Sequence, residues 1–140
     1  MQAATAIEQA TKYGITRKVG LSYDQAIEKI TETLKEQGFG ILTQIDVSTT
    51  LKAKIDKDIP PYVILGACNP NLAFQAMSAE TTIGLLLPCN VVVYEDPADG
   101  KTVVGILDPL TMVDLTGKPE METVAKEARQ RLETALSKVE

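Results

Sequence analysis

Two Cys-Asn pairs, Cys68-Asn69 and Cys89-Asn90, are the residues in this sequence most suited to chemistry. The chain contains no histidine. That removes the commonest general base near neutral pH and the commonest metal ligand, so Ser-His-Asp or Cys-His triads and His-based metal centres are closed off. Any catalysis would run on Cys, Asp, Glu, Lys, Tyr or an external cofactor, and no particular cofactor is indicated. Cys68 ends an apolar run and is followed by Asn69-Pro70, which reads as an N-cap with proline at the first helical position. The free N–H groups at a helix start favour a nearby thiolate, so Cys68 is the better candidate nucleophile or ligand. Cys89 falls on the same strand face as Leu87, Val91 and Val93, which predicts a buried, inert thiol unless Pro88 breaks the alternation with a bulge.

Two roles are open to the cysteine pair. A disulfide or persulfide relay needs Cα atoms within about 7 Å. Thiolate metal binding needs further ligands from carboxylates, a partner subunit or a cofactor, and no metal is assigned. The separation of 21 residues between Cys68 and Cys89 selects neither role. Ordinary explanations compete: free cysteine is among the most buried residue types, Asn69 is accounted for by capping, and Asn90 by an irregularity beside Pro88. Asp46, Glu80 and Asp108 lie at element ends where clefts form. Each has a plainer reading, as a cap, a solvated loop charge and the first residue of an Asp-Pro turn respectively. Lys52, Lys54 and Lys57 read as a solvated helix face.

Composition bounds the functional class. A chain of 140 residues, 44% hydrophobic and 24% charged, is of ordinary globular type and long enough to bury a core without disulfides. The net charge of −5 opposes a phosphate backbone, and the absence of tryptophan argues against base-stacking platforms, so no nucleic-acid partner is expected. No apolar run approaches the ~20 residues that span a bilayer, so no membrane role is expected. The beginning of the chain lacks the pattern of a secretory signal, which makes the cytoplasm the expected compartment and reduced thiols the expected state.

The elements that must position these residues follow from pattern. Residues 1–12 read as a helical or frayed N-terminal extension to a single domain over 13–140. Tyr13 to Gly20 reads as a strand. Ser22 and Gln25 form a capping box that opens a helix carrying Ala26, Ile27, Ile30 and Leu34 and stopping at Gly38. Residues 39–47 alternate as a strand with one apolar face, Asp46 or Ser48 caps a short helix that ends before Pro60-Pro61, and 62–68 reads as a strand buried on nearly both faces. A helix after Asn69 buries Leu72, Ala73, Ala76 and Met77. Residues 85–95 and 102–108 read as a hairpin, and the last helix begins near Pro119 with its apolar stripe running from Met121 to Val139. Single strands between helices plus a hairpin favour a mixed or mainly antiparallel sheet covered by helices. No glycine-rich phosphate-binding motif occurs.

The stretches GFGILTQIDVSTTLKAKI, PPYVILGACNPNLAFQAM and IGLLLPCNVVVYED resemble the family known as domain of unknown function 302, over nearly the whole chain from about Tyr13. The resemblance implies an α+β fold similar to that of the TATA-box-binding protein, with a curved, mainly antiparallel sheet backed by helices, in a homodimer. It implies no activity. The family's motif residues map to Gly66, Cys68, Asn69, Pro70, Leu87, Pro88, Cys89 and Asn90, and a thiol role is consistent with the occurrence of some members near sulfur-metabolism proteins. Fold likeness to a DNA-binding protein carries no function across, since function lives in sites. The leading expectation is therefore a small binding domain with a cleft beside Cys68, Asn69, Cys89 and Asn90, taking a small molecule, a sulfur species or a partner protein. One alternative is a thiol or sulfur-transfer enzyme using Cys68, with Cys89 a second catalytic candidate. The other is a dimerisation module with inert thiols.

Overall fold

The computed structural model describes residues 4–140. An antiparallel sheet runs in the order β1-β2-β6-β5-β4-β3, from β1 (Glu8–Gln9) and β2 (Gly14–Val19) at one side to β4 (Tyr62–Cys68) and β3 (Gly40–Asp46) at the other. Between them stand β6 (Thr102–Leu107) and β5 (Cys89–Glu95), joined as the expected hairpin. Among the described residues five α-helices accompany the sheet: α1 (Tyr23–Glu36), α2 (Val47–Ile55), α3 (Pro70–Ala79), α4 (Thr111–Thr116) and α5 (Met121–Ser137). The fold is α+β, an open antiparallel sheet backed by helices.

Local chemistry explains the well-read elements. Ser22 accepts from the backbone N–H of Gln25, whose side chain in turn accepts from the N–H of Ser22, so the expected capping box opens α1. Gly38, at φ +83°, ends it in the left-handed region that glycine occupies at no steric cost. The stripe of α5 packs as predicted: Val124, Ala128, Leu132 and Leu136 are buried against the sheet and α1. Burying side chains of that size contributes roughly 1.5–3 kcal/mol each for the leucines and valine.

Alternation places Val63, Leu65 and Ala67 of β4 on the helix-covered face, opposite Val93, Val91 and Cys89 of β5. Tyr62, Ile64 and Cys68 point the other way and are only half-buried, so β4 is covered on one face rather than nearly both. The Tyr62 and Tyr94 rings stack on this second face, 5.2 Å between centroids.

Four further expectations are corrected. Among the described residues of the N-terminal segment there is no helix: β1 pairs with β2, and Thr5 donates its backbone N–H to Lys18 O. The part of that expectation at 1–3 lies outside the described residues. The β3 strand is an edge, and a register shift between Ile41 and Thr43 leaves Leu42 unpaired. This bulge puts Ile41 opposite Ala67 but Thr43 opposite Gly66, so the single apolar face that strict alternation implies is split between the two sides. Residues 81–86 form a 3-10 helix instead of the first half of a strand, and β5 begins only at Cys89, after a cis Leu87–Pro88 bond. Met77 is about half exposed rather than part of the buried stripe of α3.

Candidate functional site

A cavity of about 380 Å³ opens at the end of the sheet where β3 starts, β4 ends and β5 starts. Phe39, Leu42 and Thr43 line it from β3 and its approach, Ala67 and Cys68 from β4, and Cys89 with Leu87 and Pro88 from the β5 side. Its roof is α3, through Leu72, Ala73, Ala76 and Met77, together with Gly84 of the 3-10 helix. Met112 of α4 and Val124 and Ala128 of α5 close the inner wall. The lining is almost entirely apolar. None of its residues bears a carboxylate, an amine or a guanidinium.

The Cys68 placement follows from the helix start beside it. Asn69 Oδ1 accepts from Leu72 N at 3.2 Å, Pro70 takes the first helical position, and the thiol stands one residue before the cap, as the sequence suggests. Asn69 is buried while it caps, and it packs against Gly38: a Cβ there would lie 2.9 Å from Asn69 Nδ2. The same side chain therefore starts α3 and tolerates only glycine at the end of α1.

Cys89 sits opposite Ala67 on the helix-covered face, 7% exposed. Burial, with a smaller contribution from the neighbouring Cys68, pushes its thiol up to about 11. Both cysteines are free, and Cys68 is the more accessible. Thus Cys68, Asn69 and Cys89 meet at one cavity. Asn90 does not line it: opposite Gly66 on the other face of the sheet, its side chain is exposed.

The three carboxylates all have structural partners away from the cavity. Asp46 caps α2 by accepting from Thr49 N and the Ser48 hydroxyl, and the backbone bond is the leading reason its carboxyl titrates below the usual range. Glu80 is more than a solvated loop charge. It pairs with Lys118 and accepts from Thr82, and the Lys118 ammonium is the chief cause of a pKa lowered to about 2. Asp108 is 5% exposed, accepts from Leu110 N, and lies 3.4 Å from Arg129. Lys52 is engaged with Asp56 and Asp58. Among the described residues, no group of three or more His, Cys, Asp or Glu side chains could hold a metal ion.

Sequence reasoning did not anticipate Leu42, Thr43, Gly84 and Met112 as parts of the site. Leu42 and Thr43 reach it through the bulge, and Met112 through α4, a helix with no side-chain cap to announce it.

Comparison with known proteins places these features in a wider set. The family described as Domain of unknown function DUF302 matches residues 15–139. The chain is similar to a solved structure, that of an uncharacterized conserved DUF302 protein from Bacillus stearothermophilus. The two are 31% identical, with a TM-score of 0.86 over 93% of this chain and 100% of that one. The comparison with curated proteins gave no match. Among the described residues no helix is long and apolar enough to cross a membrane.

Proposed function

We propose that this chain, which belongs to the DUF302 family, is a small binding domain whose cavity beside Cys68 and Cys89 takes a small apolar or sulfur-bearing ligand. The observation that carries this reading is the cavity itself: about 380 Å³, almost wholly apolar, with both thiols of the chain on its wall. That volume lies in the ordinary range of small-molecule sites, and an apolar wall with a few polarizable groups favours a ligand that loses little hydration on entry. The enzyme alternative has less support, because a Cys68 nucleophile would have no acid–base partner among the lining residues.

The test is titration with an environment-sensitive apolar fluorophore, alongside native mass spectrometry of protein purified without reductant. Saturable binding at one site per chain is expected, and Ala73→Phe, which fills the cavity from α3, should abolish it while the circular dichroism spectrum is kept. Equal binding by the filled variant would sink the proposal.

A homodimer is a second element of this proposal, and β3 supports it. It is a seven-residue edge with no charge from Gly40 through Ile45, and its Leu42 is 68% exposed. Such an edge is unprotected against pairing with a second strand, and twofold pairing needs only a strand complementary to itself. Sedimentation equilibrium with and without Thr43→Pro separates dimer from monomer. A cytosolic setting, which keeps both thiols reduced, belongs to the same proposal.

A further inference from the structure

Between the end of α1, the start of α3 and the middle of α5 runs a second opening, a polar groove of about 520 Å³ that shares only Asn69 with the lining of the apolar cavity. The capping bond of Asn69 fixes how its amide sits there. Oδ1 accepts from Leu72 N, so Nδ2 and its two protons turn the other way, toward Gly38. Asn69 is 9% exposed, and among the described residues Nδ2 donates to nothing. A buried amide donor without a protein partner is the exception in folded chains and calls for a ligand or solvent to take its hydrogen bonds.

Other donors gather at the same place. A Cβ at Gly38 would lie 2.9 Å from Asn69 Nδ2 and 3.9 Å from Arg131 Nη1, so glycine leaves open a spot within reach of both nitrogens. Arg131 is held in position by bonds from Nε to Glu127 Oε2 and from Nη1 to Gln37 O, while Nη2 has no partner among the described residues. The backbone N–H of Asn71, in the first turn of α3, also has no acceptor among them.

Charge and shape set the class of ligand. A helix start favours an anion, and a guanidinium fork fits the two oxygens of a carboxylate. Glu127 stands on the groove wall and cancels much of the charge of Arg131, so one negative charge is accommodated and a dianion is repelled. Phe74, 73% exposed on the same wall, offers an aromatic face to a planar apolar body.

We infer that this groove binds a monoanionic aromatic carboxylate, its carboxylate held by Asn69 Nδ2, Arg131 and the Asn71 N–H and its ring against Phe74. The site is separate from the apolar cavity and does not depend on what the cavity holds.

The experiment is a heteronuclear NMR titration of the full chain with benzoate, with benzamide as the neutral counterpart and sulfate as the dianion. Saturable shifts of the Asn69 side-chain amide and the Asn71 backbone amide are expected with benzoate, and none there with benzamide or sulfate at the same concentration. Asn69→Asp is the decisive variant. Aspartate caps a helix as well as asparagine, so α3 stays intact, but the donor becomes a carboxylate oxygen and benzoate affinity should fall by about tenfold or more. Arg131→Lys keeps the charge without the fork and should weaken binding about tenfold. Phe74→Ala, at a position too exposed to disturb the core, should weaken benzoate about threefold and leave acetate unchanged. The inference is overturned if benzamide or sulfate moves the Asn69 amide as benzoate does, if Asn69→Asp binds with full affinity, or if benzoate produces no saturable shift. Loss of benzoate binding in Ala73→Phe would place the ligand in the apolar cavity and overturn it as well.

Discussion

The two flanks of the sheet are built to different ends. On the β2 side, polar side chains fasten one element to the next. Arg17 donates from Nη1 to the carbonyl oxygens of Leu136, Ser137 and Val139 at the end of α5, and from Nε to Thr5 O. Asp108 faces Arg129, and Lys18 bridges to Asp96 and Asp99 on the hairpin turn. On the β3 side apolar side chains line a cavity, with Leu85, 87% exposed, next to the cavity-lining Gly84, and among the described residues the sheet ends in a strand edge. A flank whose helix ends and charges are satisfied can carry stability, while one lined with adaptable apolar side chains can give up packing for a ligand.

The largest expected effect is at the fastened flank. Arg17→Ala removes the cation that satisfies two terminal carbonyls of α5 and that of Val139 just beyond it, and should cost about 2–3 kcal/mol in urea unfolding. A loss below half a kcal/mol would erase the contrast between the flanks.

Next is Cys89, which tests whether the cavity wall is as dry as its burial implies. Its thiol titrates near 11 when folded against 9.0 for the free group, so the folded chain holds the proton that the unfolded chain gives up. Stability is therefore unaffected below pH 9 and falls as pH rises toward 11, by up to about 2.7 kcal/mol at 1.36 kcal/mol per unit. Cys89→Ala should flatten that alkaline slope relative to the parent, and in the native parent Cys68 should be alkylated while Cys89 is spared. Equal modification of both thiols would mean that the wall is wet.

The smallest effect is at Glu80, whose exposed pair with Lys118 joins the end of α3 to the segment before α5. Its carboxyl is lowered to about 2, so the contribution is full above pH 4.5 and is lost as pH falls toward 2. Glu80→Gln should remove only that acid-side portion of the pH–stability curve, and less at high salt. An unchanged acid limb would show that the pair adds nothing.

What could be read from residues alone were the features whose cause is local. The capping box of α1, the Asn69-Pro70 start of α3 and the stripe of α5 each need only neighbours within a turn or two, and through them Cys68 and Asn69 were placed correctly. Cys89 was placed on the buried face because alternation from Val91 and Val93 carries back to it. The bulge at Leu42, the 3-10 helix before Pro88 and the short α4 answer to tertiary packing and leave no periodic trace. Gly66 shows why. A Cβ at this position would collide with Thr43 Oγ1 and lie 2.9 Å from Pro88 Cγ, so three distant residues settle one another's places. Asn90 matched Asn69 as a sequence pair, yet strand parity turned it to the opposite face.

The clasp of Arg17 on α5 also bears on how the chain is made. The three carbonyls that Arg17 clasps near the end of α5 lie 119 or more residues further along, and β2 pairs with β6 rather than with any nearby strand except the two-residue β1. During synthesis β2 must therefore wait, without its main partner, until nearly the whole polypeptide has emerged. A nascent chain halted before residue 102 should stay protease-sensitive over β2, and closure of the sheet falls among the late, long-range steps that make folding slow.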